Sequence, residues 1–207
     1  MKYILEKIKE VNQYIKDYFL KLSIILFIIF VLISVVSYFI VLSLPEESIK
    51  YLLEQISIMY DLENMATKNG FEMFLSLFIH NLRASGMNMI SFIIPTFIFP
   101  VVSLIVNGAA MGVVFGIGSY IGAENMFLMF LKFVLPHGIF EIPEFILSCA
   151  IGIKFTVILI KKIFGRAKEE TFKYHFDKMC KLVFIYVIPF LLIAAFLEGI
   201  VEPFIFG

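Results

Sequence analysis

Tryptophan is absent from the 207 residues, cysteine occurs only twice, and Asp, Glu, Lys and Arg together supply just 16% of the chain. Two cysteines, Cys149 in an apolar run and Cys180 beside basic residues, provide neither a disulfide framework nor a metal-type Cys spacing. Lys+Arg and Asp+Glu balance at 17 each, so there is no basic excess and no sign of nucleic acid as a partner. Without Trp, an interfacial aromatic belt has to be built from tyrosine, with Tyr3, Tyr14, Tyr18, Tyr38 and Tyr186 available for it. Charge is missing altogether from 22–45 and from 84–123. What fills the space is apolar: 61% of residues are hydrophobic, against roughly 45–50% in a soluble domain. Uncharged runs of about 18 residues or more are membrane spans. The sequence therefore predicts an all-α, polytopic transmembrane helical bundle.

Residues 1–21 set Ile4, Ile8, Val11, Ile15 and Tyr18 at helical spacing among lysines, the pattern of an amphipathic cytoplasmic or interfacial helix. The remainder, 22–207, is expected to form a single transmembrane domain. The run 22–45 is the first span, too long for a removable signal peptide and followed by no small-residue cleavage site. Acidic residues gather in 46–72 (Glu46, Glu47, Glu54, Asp61, Glu63, Glu72) and basic ones in 161–181 (Lys161, Lys162, Arg166, Lys168, Lys173, Lys178, Lys181). By the positive-inside rule the N-terminus and the 161–181 loop are cytoplasmic, and the 46–72 segment and the C-terminus are external. The stretch 84–123 is expected to fold as two crossings with a turn near Asn107-Gly108, and 71–82 and 126–135 as partial or interfacial helices, for about five full crossings in all. Gly108, Gly112 and Gly116 recur every fourth residue, a small-xxx-small face that lets helix backbones approach closely within one chain or between two. Pro136 and Gly138 are expected to break a helix, with Pro143 close behind; broken or re-entrant backbone at that depth has to face protein or water.

The block Leu135-Pro136-His137-Gly138-Ile139-Phe140-Glu141-Ile142-Pro143-Glu144 is the most informative in the chain. On a helix His137, Glu141 and Glu144 fall near one face, and each ionised group in the bilayer costs about 2.5–3.5 kcal/mol on insertion scales. Two readings stand. Structurally, the carboxylates accept backbone N–H groups at the start of the helix after the break. Functionally, His137 with Glu141, joined by His80, forms a metal or proton-handling site. Asn81, Arg83, Asn107 and Glu198 are further polar residues in apolar surroundings, with Arg83 or Lys132 placed to pair with Glu141, Glu144 or Glu198. His175, in the basic stretch, is expected to be solvated.

Phe78-Ile79-His80-Asn81, Asn107-Gly108 with Gly112, Leu135-Pro136-His137-Gly138 with Glu141 and Pro143, Gly152, and Ala194-Ala195-Phe196-Leu197-Glu198 followed by Pro203 together resemble the stage II sporulation protein M family of prokaryotic membrane proteins. The namesake works with stage II sporulation proteins D and P in remodelling septal peptidoglycan, as a membrane scaffold for hydrolases. The sporulation branch looks like Pro-Gln-Asn where this chain has Pro136-His137-Gly138, so the resemblance is to the wider bacterial and archaeal family. It implies a non-enzymatic scaffold or anchor in a prokaryotic cell membrane, in contact with lipid and with other membrane or envelope proteins, and open to homo-oligomerisation. The alternatives are an ion- or solute-translocating protein using Glu141, Glu144 and His137, and an intramembrane metal-dependent hydrolase.

Overall fold

The computed structural model describes residues 2–59, 70–120, 122, 126–166 and 169–203, and no strand occurs among them. Asp61, Glu63 and Lys68 of the acidic segment and Lys168 of the basic one lie outside the described residues. The helices are α1 (Lys2–Tyr18), α2 (Leu20–Leu42), α3 (Glu46–Met59), α4 (Gly70–Ile90), α5 (Ile98–Tyr120), α6 (Met126–Phe133), α7 (Leu135–Ile163), α8 (Glu169–Leu182) and α9 (Ile188–Phe196). A π turn, Val183–Val187, joins α8 to α9 and a second, Leu197–Val201, follows α9, so that Phe172–Val201 is one continuous rod. Leu20–Leu42, Ile98–Tyr120, Leu135–Ile163 and this rod are long and apolar enough to cross a membrane. The fifth helix of comparable length is α4, with 21 residues, whose Glu72, His80 and Arg83 lower its hydropathy.

Two expectations are corrected here. Asn107 lies in the middle of α5 rather than at a turn, and 71–82 is no separate partial helix but the first half of α4. The chain turns instead at 91–97. Pro95 dictates this: it disfavours helical backbone at the residue before it, and Ile94 is extended (φ −103, ψ 99). The Thr96 hydroxyl accepts the Ile98 N–H at 3.1 Å, and Pro100 falls in the first turn of α5, where no intrahelical donor is needed. The glycines of α5 are held in helix because they are contact points. A Cβ on Gly112 would overlap the Ser34 carbonyl of α2, and one on Gly116 would come within 2.6 Å of the Val41 Cβ. Ser34 also donates its hydroxyl to the Gly108 carbonyl at 2.9 Å. Pairs progress together, Phe30 with Gly108, Ser34 with Gly112 and Tyr38 with Ser119, so α2 and α5 run parallel, and the glycine face is used within one chain.

The seam between α4 and α7 follows the same rule. Asn81 meets Glu141, Ser85 meets Glu144 and Asn88 meets Ser148, at sequence separations of 60, 59 and 60. A constant offset requires parallel helices. Gly152 permits their close approach, since a Cβ there would overlap the Asn88 carbonyl. At the opposite end of α7, α1 folds across α8: Val11 and Tyr14 are buried, Tyr14 is hydrogen-bonded to His175 at 2.7 Å, and Lys178 is paired with Glu10. His175 is thus buried among Tyr14, Tyr18 and Tyr174 rather than solvated, and the basic segment is largely the helix α8 rather than a loop.

Substituting Gly112 with Ala should lower the melting temperature of the detergent-purified protein, since overpacking of this kind costs about 1–3 kcal/mol. Gly86→Ala, where nothing lies within 4 Å of the new methyl, should not lower it. Equal behaviour of the two variants would refute the helix contact.

The hydrogen bond from Lys178, and then that from Lys7, hold the Glu10 carboxyl at about 2, well below its usual 4.5. A carboxyl depressed in the folded state contributes stability above its unfolded value and loses it as pH falls through the folded one. Spin labels on α1 and α8 should therefore move apart as pH is taken from about 5 to about 2. Glu10→Gln should abolish that pH step, and a separation constant across the range in the native chain would rule it out.

Candidate functional site

α7 opens directly after a kink. Val134 has φ −121 and ψ −44, Pro136 sits in the first turn, and the Gly138 N–H bonds the Val134 carbonyl at 2.8 Å. The break therefore precedes Pro136-His137-Gly138 instead of falling within it, and the helix continues through Pro143. Among the described residues α6 is a short eight-residue helix abutting the kink, as the sequence predicted for a partial segment.

The carboxylates do not cap this helix start. Glu141 is seven residues into α7, beyond the turn in which backbone N–H groups are free, so both acids find partners across the seam instead. Asn81 donates to Glu141 Oε1 at 3.0 Å and Ser85 donates to Glu144 Oε2 at 2.9 Å. Glu144 is 1% exposed and its other oxygen, Oε1, is buried without a hydrogen-bond partner among the described residues. A buried acceptor left open is costly unless something else satisfies it.

Both acids line a half-open cavity of about 560 Å³ bordered by α2, α4, α5, α7 and the end of the last rod. His80, Asn81, Ser85, Asn107, His137, Gly138 and Glu198 also line it. The site residues from α4, α7 and the C-terminal rod are thus brought into one space. Arg83 is not among the lining residues; it is exposed on α4 and belongs to no ion pair among the described residues. Lys132 is likewise exposed, on α6. Pro143 points to another groove, lined by Ser23, Tyr186 and Phe190, and Glu144 borders both spaces.

One ring nitrogen of His137 and one carboxylate oxygen each from Glu141 and Glu198 all lie within 4.8 Å of one another. His137 Nδ1 is 2.8 Å from Glu202 Oε1. With Nδ1–H donating to that carboxylate, Nε2 keeps its lone pair. Among the described residues, three that bear carboxyls thus line the cavity, and no Lys or Arg does.

Ser85 and Glu202 were not singled out by sequence reasoning. The signals were present: Asn81, Ser85 and Asn88 share the i, i+4, i+7 spacing of one helix face, and Glu198 and Glu202 stand four apart.

A family model described as stage II sporulation protein M matches residues 23–203. An uncharacterized protein of Methanocaldococcus jannaschii is 28% identical over 210 residues, covering 94% of this chain and 88% of its own length. No solved structure matches the chain.

Ser85→Ala should destabilise the folded protein by about 1–3 kcal/mol by stripping Glu144 of its one side-chain donor. Combining it with Glu144→Leu should recover part of that loss. Strictly additive effects in the thermal melts would show that the two side chains do not interact.

Proposed function

The chain belongs to the stage II sporulation protein M family, and from that footing we propose that this membrane protein binds a cation inside the bilayer and translocates it. The observation that carries the reading is the composition of the cavity wall: among the described residues, Glu141, Glu144 and Glu198 line it with two histidines and without Lys or Arg. Negative groups removed from water need compensating positive charge, and here the compensation is a ligand. Placing Asn81, Ser85 and Asn88 of α4 against Glu141, Glu144 and Ser148 of α7 turns these polar groups away from lipid, the arrangement by which membrane carriers keep polar sites at depth. The distribution of Lys and Arg supports an orientation with the N-terminus and the start of α8 in the cytoplasm and the α2–α4 connection outside. On that orientation the His137 end of the cavity lies towards the external side.

The second reading is the scaffold that the family's namesake suggests, and the feature on its side is the wide apolar surface of α2. Ile24, Ile28, Leu32 and Val36 are all exposed there, a stripe that spans of a partner protein would cover as well as lipid.

Proteoliposomes containing the purified protein should accumulate divalent or monovalent cations, or protons, faster than empty ones. Glu141→Gln should reduce that flux at least tenfold. Equal flux in mutant, native and protein-free vesicles would overturn translocation. Reproducible crosslinking of the α2 surface to one partner in native membranes, with no flux, would establish the scaffold instead.

A further inference from the structure

We infer that the cluster of His137, Glu141 and Glu198 is a binding site for a divalent transition-metal ion, with Glu202 orienting the imidazole. The inference rests on the proposed cation binding and narrows it to one chemical class. Three donors from two separate elements already lie within 4.8 Å of one another. Donors bound at about 2.0–2.2 Å stand roughly 3–4 Å apart, so rotation of the side chains closes the set without moving a helix. The charge of the ligand set also suits a dication. The two liganding carboxylates, Glu141 and Glu198, cancel a dication bound with a neutral imidazole, which removes most of the charge that hydrocarbon penalises and leaves the Glu202 carboxylate to be met by the imidazole N–H.

The imidazole decides the class. A nitrogen donor favours zinc, iron, manganese and their neighbours over magnesium and calcium, which take oxygen. The contact between His137 Nδ1 and Glu202 at 2.8 Å has the form of the carboxylate–histidine pairs found behind metal ligands, in which the outer carboxylate fixes the ring and its tautomer. A second feature is independent of the cluster: Glu144, on the wall of the same cavity, has a buried Oε1 that no donor among the described residues meets. Glu144 stands outside the three-donor cluster, and its open acceptor lies on the wall that the cluster shares. Asn81, donating to Glu141 Oε1, leaves the other oxygen of that carboxylate for the metal.

The test uses the full chain in nanodiscs, stripped of metal and titrated with Mn(II) alone. One Mn(II) should bind per chain, with a nitrogen hyperfine coupling in its electron spin-echo spectrum. That coupling should vanish in His137→Gln, and affinity should fall at least tenfold in Glu198→Gln. Glu202→Gln should weaken binding about 10–100-fold while keeping the coupling, the signature of an orienting group. Zn(II) should displace the bound manganese. The native protein alone decides the matter if a variant does not fold: no stoichiometric Mn(II), or bound Mn(II) without nitrogen coupling, overturns the metal site. Cation flux in the absence of metal binding would overturn this inference and leave translocation standing. Tight, nitrogen-coordinated binding without flux would do the reverse.

Discussion

Hydrocarbon offers no hydrogen bonds, and the seam between α4 and α7 is arranged around that fact. Asn81, Ser85 and Asn88 of α4 each meet a polar side chain of α7 at nearly the same sequence offset, and the pairs fix the two helices in register and in parallel orientation. Slipping one helix by a residue would misplace all of them at once and leave carboxylates facing lipid, at a cost far above that of an apolar mismatch. Polar pairing therefore specifies the fold where hydrophobicity cannot, because between two helices in lipid one apolar contact is much like another.

The α2–α5 pair reaches the same end by shape. Gly108, Gly112 and Gly116 bring the backbones so close that the Ser34 hydroxyl bonds a carbonyl of the neighbouring helix. With α2 held in this way, Phe30 and Met111 become part of the cavity wall, so the packing of one pair bounds the space in which the polar residues of the other meet.

Fold class was legible from composition, because the length of the uncharged runs reports on solvent directly. The partial character of α6 and the closely packed glycines were legible too. The turn expected at Asn107 was misplaced for a physical reason: Asn-Gly marks turns where water hydrates an open backbone, whereas within lipid the same glycine serves a helix contact and Pro95 alone ends the helix. The burial of His175 was hidden because nothing in the local sequence tells that α1 returns to cover it with Tyr14. The site was half visible. The spacing of His137, Glu141 and Glu144 marked one face, but Glu198 reaches them from a helix some sixty residues downstream, and such convergence is a property of the bundle, not of any segment.

The widened turn at Leu197–Val201 carries Glu198 within it and Glu202 just after it. Its hydrogen bonds skip one residue further than those of an α-helix, so it holds one residue in excess. Were it to tighten into ordinary α geometry, Glu202 would rotate by about 100° about the helix axis and swing away from His137 while Glu198 stayed near. The position of Glu202 against His137 thus depends on the hydrogen-bond register of this one turn, independently of how the helices pack side by side.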